Sequence, residues 1–271
     1  MPGRHSLDGA PVEAVPPELA LCPLGVFTTF VVVDGGVLGL ADHLERLRYG
    51  SGRLWGHVLE VPRVLEALQA HVLLLTEPAT VRVTLFPEEF AVATPAAAAG
   101  VRILISSRPV VFPFEVQVDF SVSSVEHERE LAEVKSTALL TQVRLRREAQ
   151  LAGHDDVLFR RGDDVLEGAT WTVLCWRDGE VVTPGDGVLP STTAKQLGVV
   201  AEQLGWTFRV RPVAFAELRA ADLVLAASVN NPARAIGRLD GESLTPHREL
   251  LEQIAVAHGE LARTQVSSYR G

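Results

Sequence analysis

Residues 130–153 read ELAEVKSTALLTQVRLRREAQLAG and join a lone lysine to a long helical pattern. The pattern predicts a helix over residues 136–151, ended by Gly153. Lys135 then stands at the helix start, and the next lysine in the chain is Lys195. A lysine at such a point suits attack on an aldehyde where dry, positively charged surroundings lower its pKa. The alternative is an exposed lysine in a first helical turn.

The chain before this stretch predicts a small α/β domain over residues 1–110. Strands are expected at 26–33, 37–40, 80–86 and 101–106, the first two joined by an Asp-Gly-Gly turn. Asp42 is the expected cap of a helix over residues 43–54, and Pro62 opens a second helical stretch, 61–75.

A larger domain is predicted over residues 111–271, after a proline-rich boundary at residues 108–114. It contains the helix that follows Lys135 and a hairpin around Asp178-Gly179. Further helices are expected at 192–204, 215–221 and 246–264, and further strands at 116–122, 156–159, 208–213 and 223–227. The expected fold is therefore α+β with two domains.

Composition narrows the class of protein. The 271 residues are 47% hydrophobic and 22% charged, which is typical of a globular chain with its own core. A net charge of −9 disfavours nucleic acid and anionic membranes as main partners. Cys22 and Cys175 form no CxxC pattern, so neither a zinc site nor a disulfide framework is expected. The N-terminus lacks the order of a signal peptide, and a cytoplasmic location is expected.

Three further segments carry groups that suit an anionic cofactor with a ring nitrogen. Glu167 precedes Gly168, and a carboxylate beside a pyridine nitrogen keeps that nitrogen protonated. Thr192 and Thr193 open a predicted helix whose first amides suit a phosphate, and Arg46 suits a fixed grip on one. Each has an ordinary alternative: a solvated carboxylate, a common helix cap, and an exposed helical arginine.

In their order and spacing, these segments resemble the class IV (fold-type IV) aminotransferase family, which uses pyridoxal 5′-phosphate (PLP). The likeness runs from about residue 24 to residue 241. It includes H-x-x-R-L at residues 43–47 and a lysine within residues 134–136. It continues with G-x-D-D-x-L at residues 153–158, E-G at residues 167–168 and V-L-P-x-x-T at residues 188–193.

The resemblance implies a role for each matching residue. Lys135 would form the Schiff base with PLP and then serve as general acid and base at the substrate carbon. Glu167 would pair with the pyridine nitrogen. Arg46, Thr192 and Thr193 would bind the phosphate, with assistance from Thr170. The family further implies a homodimer whose site is completed by the neighbouring subunit, and a small amine or amino acid as substrate.

The reaction depends on Phe27-Thr28-Thr29, where many aminotransferases of the family carry a tyrosine followed by an acidic residue. This segment is similar to 4-amino-4-deoxychorismate lyase, in which the first threonine lies at the active site. Thr28 would then handle a proton or position the substrate. The lyase releases pyruvate from aminodeoxychorismate and leaves p-aminobenzoate, a folate precursor. An ordinary buried strand is the alternative explanation of Phe27-Thr28-Thr29.

Two other activities stay open from the sequence. One is transamination of a branched-chain or D-amino acid, and the other is PLP binding with little turnover. Several positions depart from the family pattern, among them Ser191 in place of glycine, Thr172 in place of asparagine, and the bulky Trp171. Arg82, Arg144 and Arg234 are each candidates to recognise a substrate carboxylate, and spacing does not choose among them.

Overall fold

The computed structural model describes residues 4–244, 246–264 and 266–268, and it divides the chain into two compact units. The first unit contains residues 1–112, 134–138 and 265–271. The second contains residues 113–133 and 139–264. The mixed α/β character predicted from the sequence is confirmed. The assignment of residues 1–110 and 111–271 to two domains stays a prediction.

The first unit is built on one antiparallel sheet. Its elements are β1 (Arg4–Leu7), β2 (Ala10–Pro11), α1 (Pro17–Ala20), β3 (Val26–Val33), β4 (Gly36–Leu38), α2 (Leu40–Trp55), α3 (Val61–Val72), β5 (Ala79–Phe86), a 3-10 turn (Pro95–Ala97), β6 (Arg102–Pro109) and the C-terminal strand Val266–Ser268. The strand order is C-terminal strand, β4, β3, β5, β6, β1, β2.

Alternating apolar residues bury one face of this sheet. Val81 and Leu85 of β5 and Ile103 of β6 have essentially no solvent exposure. Leu47 of α2 and Leu68 of α3 are buried to the same degree, and the two helices contact β3 and β6 respectively. The β3–β4 hairpin turns at Asp34 and Gly35, both at positive φ, as the Asp-Gly signal predicts.

Two predicted boundaries are wrong. Helix α2 begins at Leu40 after Gly39 in the left-handed conformation, and no side chain caps it, so Asp42 lies in the first turn instead of capping it. The helix that follows Lys135 is α4 (Leu140–Leu151), which starts four residues later than predicted. Residues 134–138 belong instead to the first unit, where they pair with β3.

The second unit contains a nine-stranded mixed sheet. After β7 (Gln117–Glu126) and α4 come β8 (Asp156–Arg161), β9 (Asp164–Gly168), β10 (Thr172–Arg177), β11 (Glu180–Thr183), α5 (Thr192–Gln203), β12 (Thr207–Val210), α6 (Phe215–Arg219), β13 (Leu223–Ala227), β14 (Arg234–Leu239), β15 (Glu242–Ser243) and α7 (Arg248–Thr264). The order is β12, β11, β10, β13, β14, β7, β8, β9, and β15 pairs with β14.

Both faces of this sheet are buried. Val173 of β10 packs in one cluster with Leu218 of α6. Leu174, the next residue, packs in another with Leu197 of α5 and Leu251 of α7. Because neighbouring side chains of a strand point to opposite faces, this central strand reads as a continuous apolar run. The predicted hairpin at Asp178-Gly179 is confirmed. Strands β9, β14 and β15 were not predicted.

Buried histidines make stability depend on pH. Burial, with nearby arginine and lysine charges, lowers the pKa of His43 to about 3. Burial also lowers the pKa of His71 to about 4, and that of His258 to about 4. The His71 ring nitrogens lie 2.8 Å from Ser6 Oγ and 2.9 Å from Ser107 Oγ, within a fully enclosed site.

We predict that the free energy of unfolding is greatest above about pH 6.5 and falls as the pH drops towards 4. In this range the histidines of the unfolded chain bind protons, whereas the buried histidines of the folded chain stay neutral. Each histidine contributes a slope of up to about 1.4 kcal/mol per pH unit. Urea titrations between pH 7 and 4 measure this slope. His71→Asn should reduce the slope, and an unchanged slope would contradict the prediction.

Candidate functional site

Lys135 is held by its main chain against β3. Its carbonyl oxygen accepts a hydrogen bond from Phe27 N at 2.9 Å, and Thr137 N donates to the Gly25 carbonyl oxygen at 2.8 Å. The approach is close at Gly25, where a Cβ would lie 2.7 Å from Thr137 Oγ1 and 2.8 Å from Phe86 Cε1. Glycine at this position is therefore what lets the lysine segment pair with the strand.

Two basic side chains, Lys135 and Arg82, lie over the Phe27 ring. Nζ of Lys135 lies 4.9 Å from the ring centroid, and the guanidinium carbon of Arg82 lies 3.6 Å from it. Arg82 donates from Nε to Thr84 Oγ1 at 3.3 Å, and burial lowers its pKa. A half-buried arginine stacked on an aromatic ring is well suited to bind a carboxylate, because its N–H donors are held in one orientation.

Thr28 lies on the opposite side of β3. Its side chain is fully buried, and its hydroxyl is 2.7 Å from Nδ1 of His43 in α2. His43 is neutral, and its Nε2 has no hydrogen-bond partner among the described residues. Arg46 follows one turn later on α2, is partly buried, and contributes to the low pKa of His43. Thr28 therefore fixes a buried histidine and is closed to solvent.

Thr29 lies next to Thr28, and the sequence interpretation did not single it out. Successive side chains of a strand alternate between faces, so Thr29 shares the face of Phe27, and it is partly exposed. It stands directly across from Arg82 in the pairing of β3 with β5. The signal was present in the sequence, because a strand that directs Phe27 towards a site directs Thr29, not Thr28, the same way.

Glu167 is the last residue but one of β9 in the second unit, and it is nearly enclosed. Its Oε1 accepts from Arg129 Nε at 2.7 Å, and its Oε2 accepts from the backbone N–H of Leu189 at 3.3 Å. Its carboxylate is thus tied to the loop that leads into α5. At the next position, Gly168, a Cβ would overlap the Trp171 ring, so the bulky tryptophan and the glycine fit each other.

The start of α5 presents backbone donors. Ser191 caps the helix by accepting from Ala194 N at 3.1 Å, which is the common helix cap given as the alternative for this segment. Thr192 and Thr193 are the first two helical residues, and both are buried. The first N–H groups of a helix have no acceptor within the helix itself. Together with the dipole of a twelve-residue helix, they favour an anion such as phosphate.

Thr170 belongs to a network centred on the buried carboxylate of Asp156. Arg146 reaches Asp156 Oδ2 at 2.7 Å and Thr170 Oγ1 at 2.6 Å. Trp171 Nε1 donates to the same Asp156 oxygen at 3.0 Å. Thr170 is exposed, and its hydroxyl accepts from Arg146. The network orients the turn after Glu167. Asp156, the second residue of the Asp-Asp pattern and the first of β8, supplies its central carboxylate.

The structure separates the three arginine candidates. Arg144 is exposed and paired with Glu148, four residues later on α4. Arg234 stacks at 3.7 Å on Phe120, and its buried Nε has no hydrogen-bond partner among the described residues. Arg82 is the candidate that shares an aromatic ring with Lys135.

Each unit gathers its own share of the predicted residues. The first groups Lys135 with Phe27 and Arg82, with Thr28 and Arg46 around His43 behind the strand. The second groups Glu167, Thr170, Thr192 and Thr193 around one loop and helix start. Within the described residues, no cluster of three or more metal-binding side chains is found. None of the helices described is long and apolar enough for a bilayer.

The model of the class IV amino-transferase family matches residues 25–233. This match covers most of the chain, so the chain belongs to that family and is an enzyme of it. The resemblance noted in the sequence is confirmed at this level. No curated protein matches the sequence.

Solved structures share the whole fold. A hypothetical aminotransferase from Mycobacterium tuberculosis, in its apo form, is 22% identical over 96% of this chain and 98% of its own, with a TM-score of 0.80. A branched-chain aminotransferase from Thermoproteus uzoniensis is 21% identical over 97% and 98%, with a TM-score of 0.81. An aminotransferase from Brucella abortus, bound to PLP, is 19% identical over 97% and 99%, with a TM-score of 0.82.

Gly25→Ala tests the anchoring of the lysine segment. We expect the free energy of unfolding to fall by about 1–3 kcal/mol, because the new methyl group overlaps Thr137 and Phe86. Thr137→Ala in the same chain should recover part of that loss. Gly52→Ala is the control, since its nearest neighbour would lie 3.7 Å away. Equal effects of the two glycine substitutions in urea unfolding would show that the close approach is unimportant.

Proposed function

We propose that this chain is a PLP-dependent enzyme acting on a primary amine that carries a carboxylate. One observation carries the proposal: an amine and a carboxylate-binding guanidinium lie on the same Phe27 ring. A substrate held by Arg82 would present its amino group near Lys135. The PLP bound to the Brucella abortus relative supports the choice of cofactor.

The residues present fit the chemical groups of PLP. Lys135 supplies an amine for the aldehyde, and Glu167 an enclosed carboxylate for the pyridine nitrogen. The N–H groups of Thr192 and Thr193 supply donors for the phosphate, and Arg46 would add a positive charge, with Thr170 assisting. When bound, the cofactor withdraws electrons from the carbon beside the substrate amine. We also propose a cytoplasmic homodimer, as the family resemblance implies.

The surroundings of Lys135 explain how its amine would react. The Arg82 guanidinium shares the Phe27 ring with Lys135. Its charge would disfavour a second cation there, and so would favour the neutral amine that attacks an aldehyde. Once displaced by substrate, Nζ of Lys135 would take the proton from the carbon that bears the amine. Arg82 would hold the substrate carboxylate and thereby fix the direction of that carbon.

Elimination of pyruvate from aminodeoxychorismate is the activity we propose first. Phe27 has no hydroxyl where many family members carry tyrosine, and the hydroxyl on its face of the strand belongs to Thr29. We therefore assign to Thr29 the proton-handling or positioning role that the sequence suggested for Thr28. Transamination is the second proposal. The similarity in fold to branched-chain aminotransferases favours it.

Two assays on PLP-loaded protein separate these activities. Pyruvate release from aminodeoxychorismate without a keto-acid acceptor would support the lyase. Conversion of the bound cofactor to its pyridoxamine form by common amino acids would support transamination and exclude the lyase as the main activity. PLP binding with neither reaction would leave a binding protein of little turnover. Failure to bind PLP at all would reject the proposal.

Thr29→Ala and Thr28→Val should have opposite effects. Loss of the Thr29 hydroxyl should reduce kcat by about 100-fold with little change in stability. Thr28→Val should cost about 1–3 kcal/mol of unfolding free energy, because buried Nδ1 of His43 loses its partner, and should reduce kcat less than tenfold. Steady-state kinetics and urea unfolding measure the two effects. The reverse pattern would return the active-site role to Thr28.

A further inference from the structure

We propose that Arg129 is the positioning residue that holds Glu167 and sets the charge at the cofactor ring, an inference that rests on the proposed role of Glu167. Nε of Arg129 donates to Oε1 of Glu167 over 2.7 Å, and each side chain is 10% exposed. At that exposure the ion pair is shielded from the solvent that makes surface pairs weak. Its charge is therefore part of the environment of the carboxylate.

Arg129 is itself fixed at a second point. Its Nη2 donates to the carbonyl oxygen of Ala132, within the same loop. The other oxygen of Glu167 accepts from the backbone N–H of Leu189. The carboxylate is thus oriented from two sides. A planar guanidinium suits this task because it presents its donors in a rigid fork.

The charges predict two consequences. In the cofactor-free protein, the Arg129 guanidinium is paired with a nearly enclosed carboxylate, so replacing it would take a counter-charge away from that carboxylate at a cost in stability. In the PLP-loaded protein, Arg129 would form an ion pair with the same carboxylate that is proposed to contact the pyridine nitrogen. A neighbouring cation disfavours any further positive charge, so Arg129 would limit how readily the bound cofactor takes up a proton.

Matched variants isolate this role. Arg129→Met removes the charge, Arg129→Lys keeps it, and Arg129→Gln keeps a donor without charge should the methionine variant fail to fold. Arg144→Met is the control, since Arg144 forms an exposed pair with Glu148 in the same unit. Glu167→Gln supplies the background in which the buried carboxylate is absent.

The first measurement is the Tm of the cofactor-free proteins. Arg129→Met should lower Tm by about 5–10 °C, whereas Arg144→Met should lower it by less than about 2 °C. In the Glu167→Gln background, the Arg129→Met loss should shrink to less than about half, because no carboxylate is left without its counter-ion. The same loss in both backgrounds would show that Arg129 does not act through Glu167.

The second measurement is the pH midpoint of the visible absorption band of bound PLP. Arg129→Met and Arg129→Gln should raise this midpoint by about one pH unit, since a cation near the titrating group is lost. Arg129→Lys and Arg144→Met should leave it within about 0.3 units of the unmodified protein. A midpoint unchanged by loss of the charge would overturn the inference.

The two measurements also keep this inference apart from the proposed function. If the unmodified protein shows no PLP band, the proposed function fails, and the inference about the cofactor ring fails with it. The Tm cycle on cofactor-free protein still decides whether Arg129 and Glu167 act as a pair. If PLP binds and the midpoint does not respond to Arg129, the inference alone is overturned.

Discussion

The main-chain pairing of residues 134–138 with β3 is the constraint on which the candidate site depends. Two hydrogen bonds, from Phe27 N to the Lys135 carbonyl oxygen and from Thr137 N to the Gly25 carbonyl oxygen, hold the segment extended. The residues on either side, 113–133 and 139–264, belong to the second unit, so the chain returns to the first unit here for five residues. Because the backbone is fixed on both sides of Lys135, its side chain stays beside Phe27. Arg82, on the neighbouring strand β5, places a second positive charge on the same ring.

Opposite charge environments characterise the two units. In the first, Lys135 and Arg82 share the Phe27 ring, and the charges of Lys135 and Arg46 help to lower the pKa of the buried His43. This concentration of positive charge suits a ligand that carries negative charge. In the second, a nearly enclosed carboxylate is paired with Arg129, and the first N–H groups of α5 suit an anion. Each set of groups lies within its own unit, and its use in binding PLP is part of our proposal. The chain belongs to the class IV amino-transferase family.

Much of this could be predicted from the sequence, and the failures have physical reasons. The Asp-Gly turns, the serine cap of α5 and the apolar strands depend on local preferences, which a sequence carries directly. The start of α4 was misplaced because pairing with β3 overrides the helical preference of residues 136–139. Asp42 was taken for a cap because glycine in a left-handed conformation gives no side-chain signal. Arg129 was not selected, since its role depends on Glu167, 38 positions away.

Reduction of the PLP-loaded protein with borohydride, followed by peptide mapping, tests the central claim most directly. The reduced bond traps the cofactor on the lysine that holds it, and the chain offers two lysines, Lys135 and Lys195. Lys195 lies within α5 and serves as the internal comparison. A pyridoxyl group on Lys135 in near-stoichiometric yield is the predicted result. Labelling of Lys195 alone, or no labelling of either lysine, would contradict the assignment.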